Sequence, residues 1–321
     1  MRNGNCRLIV DSDSDVPQHI LNDAGVEFFS LPYDMDDGEH FDDLGVSMKS
    51  AEFYKRMRAG ENVTTAALPV TKLEEKFEEC ARDGTPTVYL ALSSKLSSTY
   101  GSAEQVAQQV RERHPGFELY LVDSKLISVA EGFLDYEAIR QYQRGLTAKQ
   151  LAAWAETARW YVNCLFTVDD LEYLRRGGRI PSAAASIGTK LKVNPTLSFD
   201  VEGNLSMTGV ARGRKKALKL LVSSFAECHP DGARPDETVL VASADAEADA
   251  DWVEEHLERP ENSIPALRWD VGPSIGAHVG PGMVAVVCWG PDRRDKTSFP
   301  DQIADQVTAA DRAEGEKEQG E

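Results

Sequence analysis

The segment Val271–Met283, VGPSIGAHVGPGM, places one serine and one histidine among closely spaced glycines. Ser274 fits the G-x-S-x-G pattern, in which a sharp turn between a strand and a helix exposes a nucleophilic serine. The pattern also requires an acid and a histidine later in the chain. Here His278 is the only histidine that follows, no acid lies between the two, and the next segment is predicted to be a strand. The sequence therefore favours Ser274 as a turn residue, and leaves open whether His278 binds a ligand or only shapes the turn.

A group of acidic residues lies near the start, where Asp11, Asp13 and Asp15 follow a short apolar run. A calcium loop of the EF-hand type is excluded, because its sixth and twelfth positions hold valine and asparagine instead of glycine and glutamate. A magnesium-dependent aspartyl phosphatase would use Asp11 and Asp13 with a downstream acidic pair, for which residues 169–170 are available. The favoured interpretation is that these acids cap the following helix.

Hydroxyl groups are concentrated in Ser93–Tyr100, SSKLSSTY, which follows an apolar strand and opens a helix. Backbone N–H groups and the helix dipole at such a position favour an anion, and ligands of open α/β sheets bind at the carboxyl ends of strands. The hydroxyls of this loop are therefore candidate ligands of a carboxylate or phosphate. Thr64 and Thr65 are candidates for one more hydroxyl donor. Serine capping of the helix is the simpler alternative.

The composition narrows the class of protein. The chain has 321 residues, a net charge of −18 and five widely spaced cysteines without a C-x-x-C pair. These features argue against nucleic-acid binding, zinc binding and a disulfide framework. No apolar stretch approaches the about 20 residues of a membrane span, and the start lacks the pattern of a signal peptide. A cytoplasmic protein is expected. The basic run 175–216 predicts either a solvated helix face or a docking patch for an acidic or phosphorylated partner.

The elements that must position these residues follow a strand–loop–helix rhythm up to about residue 160, which predicts an N-terminal α/β domain with a parallel sheet and helices on both faces. Apolar runs at 8–10, 87–92 and 119–122 are its predicted strands. Residues 161–290 predict a second α/β domain with a mixed sheet, including a hairpin that turns at residues 202–204. Residues 34–43 are predicted to be an acidic loop. The acidic tail 291–321 is predicted to be disordered.

Several of these motifs, taken together and in order, resemble the DegV family of bacterial fatty-acid-binding proteins, which includes the FakB-type subunits of fatty acid kinase. They are IVDSDSDVP, VTTAALP, LALSSKLSSTYGSA, LVDSKLIS, FTVDDLEYLRRGGRIP, KLKVNPTL, GVARGRKKAL and VGPSIGAHVGPG. The resemblance covers about residues 6 to 290, and GGRIP and GAHVGPG are its most specific motifs. The chain departs from it at Thr65-Ala66-Ala67-Leu68, where the family often has T-S-Q-P, and at Ser98, where glycine is common.

The resemblance implies a two-domain α/β protein with a lipid tunnel between the domains and a long-chain fatty acid as its ligand. The carboxylate would be held by hydroxyls and a histidine at the matching positions, namely Thr64, Thr65, Ser94, Ser97 and His278. A FakB-type protein has no catalytic residue, metal or cofactor of its own. It presents the carboxylate to a separate kinase subunit for ATP-dependent formation of an acyl phosphate. Arg179 and Arg212 match family arginines on the side that faces this partner.

Overall fold

The structure, a computed structural model, describes residues 5–181 and 193–295. In chain order its strands are β1 (Arg7–Asp11), β2 (Glu27–Phe29), β3 (Pro32–Met35), β4 (Gly38–Phe41), β5 (Thr64–Thr65), β6 (Thr87–Ala91), β7 (Leu119–Asp123), β8 (Val162–Thr167), β9 (Asn194–Phe199), β10 (Leu205–Ala211), β11 (Val239–Ala244), β12 (Leu267–Asp270) and β13 (Met283–Trp289). Its α-helices are α1 (Gln18–Ala24), α2 (Ser50–Arg58), α3 (Val70–Asp83), α4 (Thr99–Arg113), α5 (Val129–Gln143), α6 (Ala148–Ala158), α7 (Glu172–Arg176), α8 (Arg214–Cys228), α9 (Glu247–His256) and α10 (Pro273–Val279).

The first half of the chain forms the predicted parallel sheet, in the strand order β2-β1-β6-β7. Strands β1 and β6 are buried along their whole length, which matches their continuous apolar sequence, since a parallel sheet is covered on both faces. Helices α3 and α4 pack on one face through Leu73, Phe77 and Val106. Helices α5 and α6 contribute to the core cluster that includes Leu8 and Val10 of β1.

The acidic loop predicted over residues 34–43 is wrong. Residues of this segment form the hairpin β3–β4, and β5 pairs with the other edge of β3 in a three-stranded antiparallel sheet. These strands could not be predicted from the sequence, because β4 is mostly exposed and carries Glu39 and His40 instead of alternating apolar residues. Tyr33 in β3 is buried and packs against Phe53 of α2, so the hairpin is attached to the core through one of its faces.

The second half forms a mixed six-stranded sheet in the order β10-β9-β8-β13-β11-β12. The predicted hairpin is confirmed: β9 and β10 pair antiparallel, with Phe199 opposite Leu205. The sheet begins at Val162, close to the domain boundary predicted at residue 160. The division into domains at residues 1–160 and 161–290 stays a prediction. Of the tail predicted at 291–321, residues 291–295 are described and include a 3-10 turn at Arg293–Asp295, and the remainder lies outside the described residues.

Helix α5 lies between the two large sheets and was not predicted. It contacts β1 of the first sheet and β8, β11 and β13 of the second. Eleven of its 15 residues are buried, including Glu131, Asp135 and Glu137. A helix that is buried on all sides has no polar face, so its sequence lacks the amphipathic period from which a helix is predicted. No helix in the described part of the chain is both long enough and apolar enough to cross a membrane.

The VGPSIGAHVGPGM segment contains helix α10. This short helix follows Gly272, where a strand was predicted, so that prediction is wrong. Pro273 occupies the first helical turn, where its missing N–H has no cost. Gly276 faces α2, and a Cβ placed on it would lie 2.7 Å from Phe53 Cε1 and 2.7 Å from Tyr54 Oη. The absence of a side chain at Gly276 therefore sets how closely α10 approaches α2.

We expect Gly276→Ala to lower the free energy of unfolding by about 1–3 kcal/mol, because the added methyl group must displace Phe53 or Tyr54. Denaturant unfolding followed by circular dichroism measures this change. Gly101→Ala is the matched control, since Gly101 lies in α4 and a Cβ placed on it would meet no atom within 4 Å. Alanine there is expected to be neutral or stabilising by up to about 1 kcal/mol. Equal effects of the two variants would contradict the close approach.

Candidate ligand-binding site

A cavity of about 160 Å³ lies where the ends of the first sheet, β5, α7 and α10 come together. One group of its lining residues is polar: Asp13, Thr65, Ser97, Ser98, Ser128, Arg179, Ser274 and His278. The other group is apolar and includes Leu31, Leu92, Leu96, Ile127, Val129, Phe166, Leu174, Phe199, Leu205, Ile275, Val279 and Met283. Such a lining fits a ligand that has one polar group and a hydrocarbon body.

Thr65 and His278 form the central polar contact of the cavity. The Thr65 hydroxyl and His278 Nε2 are 2.8 Å apart, and the two residues are separated by 213 positions in the chain. Thr65 is supplied by β5, whereas His278 is on α10. Thr64, the other threonine predicted here, is exposed and is absent from the lining. This follows from strand geometry, because successive side chains of β5 point to opposite faces.

The imidazole of His278 is neutral at physiological pH. Burial, followed by the positive charge of Arg179, lowers the pKa of His278 to about 4. Its Nδ1 is buried without a hydrogen-bond partner among the described residues and faces Gly177, where a Cβ would lie 2.1 Å from it. Any residue larger than glycine at position 177 would therefore displace the ring. His278 thus meets a ligand as a neutral hydrogen-bonding group.

Two buried carboxylates hold the beginning of α10. Asp15 Oδ1 accepts a hydrogen bond from the Gly272 N–H at 2.7 Å, and Asp42 Oδ2 accepts one from the Ser274 N–H at 3.1 Å. These N–H groups belong to the helix start, which has no intrahelical acceptor for them and which favours negative charge. Asp15 also accepts from the Ser128 hydroxyl at 2.6 Å. The prediction that the acidic cluster caps the following helix is wrong for Asp15, which binds the start of α10, whereas α1 begins after Pro17 without a side-chain cap.

Burial gives Asp13 a different pKa from that of an aspartate on the protein surface. Its side chain lines the cavity and is hydrogen-bonded to Ser274, while its Oδ1 is buried with no partner in the described part of the chain. Burial raises the pKa of Asp13 to about 7, which the Ser274 hydrogen bond and the Arg179 charge partly oppose. Asp13 is thus a carboxyl group that changes charge near neutral pH inside the cavity.

Arg179 brings a positive charge into the same cavity. Its Nε donates to the Leu96 carbonyl at 3.1 Å, and its Nη1 donates to the Gly177 carbonyl. These bonds orient the guanidinium, and they link the segment after α7 to the loop after β6. The sequence assigned Arg179 to partner docking, whereas the structure places its half-buried side chain in the lining. Arg212, the other predicted docking residue, is exposed just after β10.

Only some of the hydroxyl groups in the serine loop after β6 line the cavity. Ser97 lines the cavity, and its hydroxyl is 3.0 Å from that of Thr99. Ser94 is exposed, and its hydroxyl donates instead to Asp123 at 2.6 Å. Ser94 and Ser97 therefore lie on different sides of the loop. Of the five predicted carboxylate ligands, the structure brings together Thr65, Ser97 and His278.

The geometry around Asp11 does not favour the aspartyl phosphatase alternative. Asp11 Oδ1 accepts from the Tyr89 hydroxyl at 2.7 Å, and Oδ2 accepts from the Leu92 N–H at 3.0 Å. Burial raises the pKa of Asp11 to about 7, so its carboxylate is neither free nor fully charged. Asp169, half of the proposed acidic partner, forms an ion pair with Arg214 at 3.2 Å. Over residues 5–181 and 193–295, no cluster of three or more His, Cys, Asp or Glu side chains has a metal-binding arrangement.

Sequence reasoning missed Asp13 and Arg179 as cavity residues. Asp13 was assigned to a helix cap because a run of acids before a helix usually has that role. Arg179 was grouped with other basic residues because only its charge, and not its half-buried position, is visible in the sequence. A signal did exist for Arg179: it directly follows Gly177-Gly178, and a glycine pair lets the backbone bring a neighbouring side chain close to a buried site.

A sequence model described as an uncharacterised protein of the DegV family matches residues 5–290. The chain belongs to the DegV family. A DegV domain-containing protein of Clostridium perfringens is 31% identical over 284 residues, which cover 88% of this chain and 97% of the relative. One from Streptococcus pyogenes is 33% identical over 288 residues, which cover 89% and 99%.

Solved structures of the family share the fold. A DegV family protein from Thermus thermophilus, described by its fatty-acid binding, aligns with a TM-score of 0.77 and 26% identity over 91% of this chain and 100% of its own. DegV from Bacillus subtilis, described as a fatty acid binding protein, aligns with a TM-score of 0.74 and 25% identity over 89% and 99%. The predicted two-domain α/β fold is confirmed, and fatty-acid binding is a property of these structural relatives.

We expect Asp13→Asn to flatten the pH dependence of stability. Because the folded-state pKa of Asp13 is about 7 and the unfolded value is about 4, the folded state holds more protons between those values. The free energy of unfolding therefore falls as pH rises through this window, by up to about 1.4 kcal/mol per unit of pKa difference. Asparagine does not titrate, so the variant lacks the pH-dependent contribution of Asp13 to the free energy of unfolding. Urea unfolding at pH 4.5, 5.5, 6.5 and 7.5 tests the change, with exposed Asp34→Asn as the control; parallel curves for wild type and Asp13→Asn would contradict it.

Proposed function

We propose that this DegV protein binds a long-chain fatty acid, with the carboxylate at the polar end of the cavity and the acyl chain along its apolar walls. The observation that carries the proposal is that Thr65, Ser97, His278 and Arg179 line the same cavity as a larger set of apolar side chains. The fatty-acid binding of the Thermus and Bacillus relatives supports it.

The energetics of such a ligand agree with this lining. Burial contributes about 0.8 kcal/mol per methylene, so an acyl chain supplies most of the binding free energy. The carboxylate must be hydrogen-bonded once it leaves water. The hydroxyls of Thr65 and Ser97 and the neutral ring of His278 can do this, while the Arg179 guanidinium provides a charge of the opposite sign. Since Arg179 already donates to two backbone carbonyls, its orientation does not depend on the ligand.

The proposed role is that of a carrier without catalysis of its own, which presents the carboxylate to a separate fatty acid kinase subunit in the cytoplasm. In that reaction a carboxylate oxygen attacks the γ-phosphorus of ATP, the bond to the β-phosphate oxygen breaks, and acyl phosphate and ADP result. The exposed side chain of Arg212, in a chain with net charge −18, supports a local docking contact with an acidic partner.

We expect Thr65→Val and His278→Ala each to weaken fatty-acid binding by about 5- to 50-fold, because each removes one hydrogen-bonding group from a buried anion. Displacement of a fluorescent fatty acid by palmitate measures the affinity. Ser94→Ala is the matched control, since its hydroxyl is committed to Asp123 outside the cavity. Wild-type affinity in both Thr65→Val and His278→Ala would contradict the assignment of the polar end.

We expect Arg212→Ala to leave fatty-acid affinity unchanged and to slow acyl phosphate formation about tenfold with a purified fatty acid kinase subunit, since only the docking contact is removed. The product is measured by trapping with hydroxylamine. Arg82→Ala is the control, because the side chain of Arg82 is 73% exposed on α3, on the opposite face of the first sheet from α5 and α6. Equal rates in all three proteins would argue against docking through Arg212.

Native mass spectrometry separates binding from the phosphatase alternative. The purified protein is expected to carry a fatty acid that denaturation releases. Ligand-free protein that hydrolyses p-nitrophenyl phosphate with magnesium, and loses this activity in Asp11→Asn, would overturn the proposal.

A further inference from the structure

Two strands of the six-stranded sheet that contribute residues to the cavity, β8 and β9, pair over only part of their length. Within the described strands, β8 and β9 pair only at Phe166 with Leu197 and at Thr167 with Thr196. The ladder stops there, although β8 continues back to Val162 and β9 continues on to Phe199. On its other edge, β8 stays fully paired with β13 as far as Val162. The opening is therefore confined to the space between Cys164 of β8 and Phe199 of β9.

The side chain of Arg293 fills the place of the missing ladder. Backbone groups of alternate residues in a strand point to the same side, so the Phe199 carbonyl points toward β8 as Leu197 does. That carbonyl accepts a hydrogen bond from Arg293 Nη1 at 3.3 Å, and the Asp200 carbonyl accepts another at 3.1 Å. Nη2 donates to the Arg159 carbonyl at 3.2 Å. Arg293 is 5% exposed, and it interacts electrostatically with the Cys164 thiol.

Empty space lies on both sides of this closure. Cys164 and Phe199 line the cavity of about 160 Å³ described above, and both also line a second cavity of about 880 Å³. The second cavity lies against α8 and the outer face of the sheet, with Leu165, Leu220 and Val286 among its lining residues and Arg293 at its border. The first cavity is smaller than the roughly 300–1,000 Å³ of sites that enclose a whole ligand of drug size. The residues at the boundary between the two cavities therefore determine how long an acyl chain the first cavity accepts.

A buried guanidinium is an effective barrier to a hydrocarbon chain. Burial lowers the pKa of Arg293 to about 10, so the group keeps its charge at neutral pH. Passage of a methyl end through the gap would separate the guanidinium from its carbonyl acceptors and leave these groups without hydrogen bonds, at a cost that a few methylenes do not offset. The barrier is thus both steric and electrostatic.

We propose that Arg293, together with Cys164 and Phe199, is the end-stop that sets the longest acyl chain this protein accepts. The inference rests on the proposed fatty-acid binding and adds to it a residue that determines chain length. Arg293 lies outside residues 5–290, the part that the family model matches. The stop is therefore supplied by the segment that follows the family fold.

The test is a chain-length series of saturated fatty acids from 12 to 22 carbons, measured by displacement in wild type, Arg293→Ala and Arg294→Ala. In wild type, affinity is expected to rise up to about fourfold per methylene to a limit and then to fall. Arg293→Ala is expected to open a path between the two cavities, to move this limit by at least two carbons and to tighten binding of the longest chains at least tenfold. Arg294→Ala is the matched control, because that side chain also lines the second cavity but is 54% exposed and pairs with Asp292 instead of the Phe199 and Asp200 carbonyls.

Cys164→Leu provides a reading that does not depend on the stability of the arginine variant. The larger side chain shortens the first cavity from within, so the limit is expected to move to shorter chains by about two carbons. A profile identical to wild type in Cys164→Leu, or in folded Arg293→Ala, overturns the end-stop while fatty-acid binding itself stands. Failure of the wild-type protein to bind any member of the series refutes the proposed function and the end-stop with it.

Discussion

The site depends on two buried carboxylates, Asp15 and Asp42, which bind the free N–H groups at the start of α10. Without them, the start of a seven-residue helix would hold unpaired donors in the protein interior. With them, α10 is fixed against α2 and β5, and His278 meets Thr65. The acids come from the loop after β1 and from the segment after β4, so both antiparallel and parallel parts of the first half are needed to place one histidine.

This arrangement explains why so many acids are buried around the cavity. Asp11 holds the end of β6, Asp15 and Asp42 hold α10, and only Asp13 has an oxygen that faces the cavity without a partner among the described residues. Each lies within a region from which water is largely excluded, and burial raises the pKa of all four. These hydrogen bonds make Asp11, Asp15 and Asp42 mainly structural, whereas Asp13 lines the cavity with one oxygen unpaired among the described residues.

The sequence predicted the strands and helices whose burial follows a regular pattern. Strands β1, β6 and β7 are apolar runs between turns, and helices α3, α6 and α8 have one apolar face, so their approximate bounds could be predicted. Helix α5 could not be predicted, since it is buried all round and carries Glu131 and Asp135 in its core. The site was predicted in part: His278, Thr65 and Ser97 follow from residue type and family resemblance. Whether Ser94 or Ser97 faces the cavity, and which element surrounds Arg179, depend on tertiary contacts that the sequence does not show.

The contact between Thr65 and His278 joins residues that are 213 positions apart, one from the three-stranded sheet of the first half and one from α10 in the second half. A ligand held at this point touches both halves of the chain, and so its binding free energy also opposes their separation. Ligand binding and the association of the two halves are then thermodynamically linked. A protein with bound ligand resists separation of its halves, and any event that separates them also releases the ligand. In the proposed fatty-acid carrier, the contact that retains the ligand is also the contact that must break for its release.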